Sequence, residues 1–164
     1  MNSLRLLTLV FLYFYLWNLQ SQEVNSNNGL FTVVIDPGHG GKDPGAVSNG
    51  FYEKIIALNT SLNLGRKLQE NGIKVIYTRK KDKFLNLLER ANIANKSNAQ
   101  LFISIHCNAH KSQAYGAETF VLGLHANQRN FEVAKKENSV IFFEEDYENT
   151  YKGFDPNNPE SVIA

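Results

Sequence analysis

A chain of 164 residues with 43% hydrophobic and 20% charged residues has the make-up of one globular domain able to bury a core. Its formal charge is close to balanced, at +1, and no basic-aromatic stripe is present, so nucleic acid is not an expected partner. A single cysteine, Cys107, excludes an internal disulfide, and stability has to come from packing.

The first elements are not part of that core. Arg5 precedes an apolar run from Leu6 to Trp17, short for a membrane span, and a polar stretch from Asn18 to Asn28 follows. This pattern predicts a signal peptide over 1–21, a linker over 22–29 and a folded domain over 30–164. The protein is then expected to be secreted across the cytoplasmic membrane, to periplasm or cell wall, with no stable membrane span after cleavage. An uncleaved anchor is the alternative. Without the signal the charges balance, but unevenly: 13 basic and 8 acidic residues lie between Glu23 and Phe131, against 3 and 8 from Glu132 onward.

Phe31 to Ile35 is rich in β-branched residues and reads as a buried strand, ended by Pro37. His39 follows within a glycine loop, Gly38 to Gly41, and turn residues run on to Gly50. A helix is expected over Glu53–Asn71, with Ile55, Leu58, Leu62 and Leu68 near one apolar face and Gly72 as its stop. Ile73–Thr78 reads as a strand leading into Arg79. Asp82 is the expected cap of a second helix from Lys83 to about Lys96, carrying Phe84, Leu88 and Ala91 on one face. Leu101–Ile105 is an apolar strand with His106 directly after it, and Ala117–Leu122 is a further expected strand. The alternation predicts an α/β fold: a mostly parallel sheet with helices on both faces. A helix over Ala126–Phe143 follows, with Phe131, Ala134, Asn138 and Ile141 at helical spacing. Asn158 and Pro159 then resemble a helix start. The sequence stops one turn later, so the fold is expected to be incomplete at the C-terminus.

If the strands run parallel, His39 and His106 emerge at one edge of the sheet, where the helix opened by Glu53 also begins. Taken singly, each has an ordinary reading: a hydrogen-bonded structural histidine, or a glutamate complementing a helix dipole. Together, two imidazoles and a carboxylate are the ligand set of a hydrolytic zinc site, and one Zn2+ is expected on His39, Glu53 and His106. Such an ion acidifies water and polarises a carbonyl, which suits amide hydrolysis. Between residues 30 and 125 no general base is evident beyond Glu53. Glu118 is read as structural or substrate-facing. Cys107 is read as a small buried hydrophobe, His110 as an exposed polar residue, and His125 is given no role.

The stretches Val34–Ala46, Glu53-Lys54, Tyr77–Arg79, Glu89–Ala91, Phe102–Ala109 and Gly116–Leu122 resemble the zinc-dependent N-acetylmuramoyl-L-alanine amidases, over a span from about Thr32 to Leu124. The resemblance implies a peptidoglycan hydrolase that cuts the amide between N-acetylmuramic acid and the L-alanine of the stem peptide, for cell-wall remodelling or daughter-cell separation. It implies zinc on the same three residues. The family's catalytic glutamate lies in a late strand segment of the Val-Glu-x-Gly-Phe type, which this sequence lacks. That glutamate is expected beyond Ala164, and the chain as it stands is expected to hydrolyse slowly or not at all. Some members also carry an inserted helical segment that covers the zinc until a partner moves it. Residues 125–158 resemble such an insert, so Glu144 or Glu145 is a candidate inhibitory ligand and an activator protein a candidate partner; an acidic solvated helix end is the ordinary alternative. Two other readings compete. One is a non-catalytic wall-binding module that keeps the pocket without the chemistry. The other is a phosphate cradle at Gly38–Gly41, disfavoured because the loop lacks the lysine-serine/threonine ending.

Overall fold

In a computed structural model, residues 29–108, 115–121, 128–155 and 157–158 are described. Three parallel strands make the central sheet: β1 (Thr32–Pro37), β4 (Lys74–Tyr77) and β5 (Leu101–Ile105), in the order β4-β1-β5. The middle strand is buried along its whole length, and Val33, Val34 and Ile35 form the heart of the core. A strand covered on both faces reads as a continuous apolar run rather than an alternating one. Between β1 and helix α1 (Glu53–Glu70) stands a two-strand hairpin, β2 (Val47–Ser48) with β3 (Phe51–Tyr52). Its turn is Asn49-Gly50, both at positive φ (51° and 80°) as a two-residue hairpin requires. The chain passes from β1 to β4 on one side, then back across to β5 through α2 (Leu87–Lys96). Because the direction reverses, right-handed connections put α1 and α2 on opposite faces.

The stripe of α1 turned inward is Glu53, Ala57, Ser61 and Gly65, not the leucine face. Ile55 is exposed, and Leu58, Leu62 and Leu68 are half-buried. Small residues let the helix lie close to the sheet, and the Tyr77 hydroxyl occupies the space that a Cβ on Gly65 would need. The second helix begins at Leu87, later than expected. Asp82 does not cap it; that carboxylate accepts from Gly41 N (2.7 Å) and Lys54 Nζ (2.7 Å). The cap is Asn86, in a reciprocal capping box with Glu89.

Beyond β5, residues 117–121 form no strand and are exposed, with no ladder partner among the described residues. Leu122 and the start of the expected helix at Ala126 lie outside the described residues. Helix α3 (Gln128–Asn138) tightens into a 3-10 turn, Ser139–Phe143, and a short helix α4 (Tyr147–Thr150) follows. Asn138, Val140 and Ile141 are buried. All these elements belong to one compact unit, Phe31–Ala164.

Candidate metal centre

The parallel register aligns Pro37 with Ile105, and Gly38 N donates to Ile105 O at 2.9 Å. His39 and His106 therefore leave the sheet side by side, at its carboxyl edge. Their facing nitrogens, His39 Nε2 and His106 Nδ1, are 3.1 Å apart. This approach depends on Gly38: a Cβ there would stand 2.4 Å from the His106 ring. His39 itself sits at φ 58°, an unusual conformation for a residue with a side chain.

Two buried arginines hold that conformation. Arg79 donates through Nε to Pro37 O (2.9 Å) and through Nη2 to Gly38 O (2.6 Å). Arg90 donates through Nη1 to Pro37 O (2.8 Å) and to the buried Asp36 carboxylate (2.7 Å), and through Nη2 to His39 O (2.8 Å). Asp36 is completed by the hydroxyls of Thr78 and Ser104. Three successive carbonyls of the histidine loop are thus gripped by guanidinium groups.

Asp43 orients the His39 ring. Its Oδ2 lies 2.7 Å from His39 Nδ1, and a carboxylate only accepts, so Nδ1 carries a proton and Nε2 faces the cluster. Glu53 is 2% exposed. Its Oε2 accepts from Ala46 N (2.8 Å) and its Oε1 from Cys107 N (2.6 Å). That same Oε1 lies 3.1 Å from His39 Nε2 and 3.3 Å from His106 Nδ1.

A fourth group closes the cluster. Glu137, from α3, puts Oε2 at 3.3 Å from His39 Nε2 and 2.9 Å from His106 Nδ1. One donor atom from each of the four residues lies within 4.8 Å of the others. Four N and O ligands around a tetrahedral zinc stand roughly 3.3–3.5 Å apart, close to the spacings seen here. Glu137 Oε1 is buried with no hydrogen-bond partner, and Lys136 Nζ faces it at 4.0 Å. Donor type, number and spacing fit zinc.

Without a cation, protons hold the cluster together. Burial opposes charge on His39, but its bonds to Asp43, Glu137 and Glu53 outweigh that and raise it from 6.5 to about 11. His106 is also raised, against its burial, by Glu137 and Glu53. Burial would push both glutamates up; bonds from the two histidines instead hold Glu53 well below the usual range and bring Glu137 down to about 2. Cys107 is half-buried rather than buried, and desolvation, then the Glu53 charge, pushes its thiol up, away from reactivity.

The sequence pattern of the N-acetylmuramoyl-L-alanine amidase family matches residues 33–157. The chain belongs to that family. It is 42% identical over 90 residues to the N-acetylmuramoyl-L-alanine amidase LytC of Bacillus subtilis (strain 168), covering 54% of this chain and 18% of that protein. The protein YqiI of the same organism is 47% identical over 89 residues, 54% of this chain and 43% of its own. Among solved structures, Cwp6 from Clostridium difficile superposes with a TM-score of 0.51 at 44% identity, over 54% of this chain and 14% of that one. The chain spans less than half the length of these relatives.

Within the family frame, the structure brings His39, Glu53 and His106 together. It does not bring Glu144 or Glu145 to them. Glu144 is buried elsewhere, accepting from Leu87 N at 3.0 Å, and Glu145 is exposed. The acidic residue of this segment that reaches the cluster is Glu137. Glu118 is exposed and accepts from Asn108 Nδ2 (3.3 Å). His110 and His125 lie outside the described residues. Sequence reasoning passed over Asp43, Arg79, Arg90 and Glu137. Glu137 was findable, because it shares a helix face with Ala134, Asn138 and Ile141.

Proposed function

We propose that this chain is the metal-binding domain of a zinc-dependent peptidoglycan amidase that hydrolyses the amide between N-acetylmuramic acid and L-alanine. The observation that carries the reading is the convergence of His39 Nε2, Glu53 Oε1 and His106 Nδ1 at the sheet edge, in a chain of the amidase family. These three residues would hold one zinc ion, which when bound supplies Lewis-acid polarisation of the amide carbonyl and acidifies water. The protein's own groups prepare for this. Asp43 keeps the proton on His39 Nδ1, leaving Nε2 as a ligand. The amides of Ala46 and Cys107 fix Glu53 as a buried anion. Glu137 fills the remaining position and shuts out water and substrate, so it takes the inhibitory role first given to Glu144 or Glu145. Moving the 125–158 segment, the task of an activator protein, opens the site.

The general base implied by the family resemblance is not among these residues. The apolar run before the domain supports a signal peptide over 1–21, a linker over 22–29 and action at the wall. A second reading, a wall-binding module, is favoured by one observation: the cluster's only carboxylates among the described residues are Glu53 and Glu137.

The test is to incubate insoluble peptidoglycan with the zinc-loaded chain, and with its Glu137→Gln variant, and identify the new termini. New amino-terminal alanine is expected, more of it with the variant, lost with a chelator and restored by zinc. New reducing sugar ends, or other amino-terminal residues, would contradict the amidase assignment. Retention on the wall with no new ends from either protein would establish the module instead.

A further inference from the structure

The segment that carries Glu137 is fastened to the N-terminus of α2. The first turn of a helix leaves amides without intrahelical partners. Here three are taken by side chains. Glu89 N donates to Asn86 Oδ1 within the capping box. Leu87 N donates to Glu144 Oε1 (3.0 Å), and Leu88 N to the Tyr151 hydroxyl (3.3 Å). Burial, and then the neighbouring Glu144 carboxylate, raises the Tyr151 phenol. Both side chains are buried, and a carboxylate is favoured at this end of a helix. So the segment's own acid and phenol complete the cap of a helix on the main sheet.

The connection from this seat to the metal centre is short and stiff. Glu137 stands one residue before the end of α3, the 3-10 turn follows at once, and Glu144 is its C-terminal flank. Val140 and Ile141 bury apolar surface inside that turn. Apolar burial is non-directional; it holds the turn down without fixing how far Glu137 reaches. The two directional bonds at either side of α4, from Glu144 and Tyr151, supply that. On the α2 side the same helix carries Arg90, which grips the His39 loop. One helix therefore registers both the loop that bears His39 and the segment that bears Glu137.

We infer that Glu144 and Tyr151 are positioning residues for Glu137, a two-bond latch on α2 that keeps the segment closed over the cluster. The inference rests on the reading of the cluster as a zinc site closed by Glu137. Releasing the latch frees Glu137 without touching any of the three sheet-edge ligands. The two amides then turn to water, and Asn86 still caps the helix.

The experiment is zinc transfer from the loaded full chain to a chromogenic chelator, followed by stopped flow. Glu137→Gln sets the rate of the opened site. The Glu144→Met, Tyr151→Phe double variant, which removes both acceptors and keeps the apolar bulk, should accelerate transfer about tenfold, the scale set by losing a hydrogen bond to a charged group. The triple variant that adds Glu137→Gln should match Glu137→Gln alone, since both changes act on one event. Tyr151→Phe alone keeps the buried ring and removes only the hydroxyl. It should speed transfer by roughly threefold, so it reads the latch even where the double variant unfolds. A wild-type rate in the latch variants, with Glu137→Gln fast, would overturn the latch and leave the closed-site reading intact. Unchanged transfer in Glu137→Gln would overturn the closed-site reading, and the latch with it. Lower stability in the latch variants with wild-type transfer would make Glu144 and Tyr151 structural only, against the inference.

Discussion

The two halves of the cluster are held by different kinds of structure. His39, Glu53 and His106 are fixed through the backbone: guanidinium groups grip the carbonyls of Pro37, Gly38 and His39, amides grip the Glu53 carboxylate, and Gly38 N ties down the carbonyl of Ile105 just before His106. Glu137 is fixed through side chains, by a carboxylate and a phenol seated on another helix. Opening the first half means breaking a buried ionic network. Opening the second means exchanging two hydrogen bonds for water, each worth on the order of 1 kcal/mol net. The same four-atom cluster thus combines a rigid scaffold with a releasable cover.

The comparison can be broken at its rigid side first. His39→Ala removes a ligand at the centre of the scaffold, and zinc should no longer be retained after dialysis; retention at one ion per chain by metal analysis would refute the assignment. Arg90→Met leaves the Asp36 carboxylate buried with only the Thr78 and Ser104 hydroxyls and no ionic partner, and urea unfolding should show a loss of about 3–5 kcal/mol. A wild-type midpoint would mean that the arginine grip is not what holds the loop. Asp43→Asn keeps shape but loses the charge behind His39. Its zinc affinity, from competition with a chelator, should fall about 10–100-fold.

Protons sharpen the picture. With His39 raised to about 11, the metal-free chain carries its proton at pH 7, and zinc cannot bind Nε2 until one proton leaves the ring. Zinc loading in weakly buffered solution should therefore release about one to two protons per ion, read by a pH indicator. No release would mean that the cluster is not held by protons. The smallest effect belongs to the exposed Lys67–Glu70 pair on α1, whose side chains are 74% and 51% exposed. Lys67→Ala should change stability by less than about 0.5 kcal/mol, which separates the buried network from ordinary surface charge.

Much of the scaffold was legible because its signals are local. Apolar runs that stop at Pro37 and at His106 mark β1 and β5, and parallel pairing then puts two histidines at one edge. The start of α1 at Glu53 follows from the turn residues before it. The misplaced elements have one physical cause, recruitment across the chain. Asp82 looked like a cap, but a loop amide and Lys54 claim its carboxylate. The leucines of α1 looked like its inner face, but Tyr77 crosses at Gly65, and close approach favours small residues there. Arg79 and Arg90 were given no role, because their partners are carbonyls of a distant strand end. Glu137 was passed over for Glu144 and Glu145 because acidity, rather than helix face, guided the choice.

The most direct test of a zinc centre covered by a releasable ligand is the visible spectrum of the cobalt-substituted chain beside its Glu137→Gln variant. The account predicts one cobalt per wild-type chain with the intense bands of a four-coordinate site, and a shifted spectrum once Glu137 is neutralised. Failure of the wild type to hold cobalt, or identical spectra from the two proteins, would contradict it.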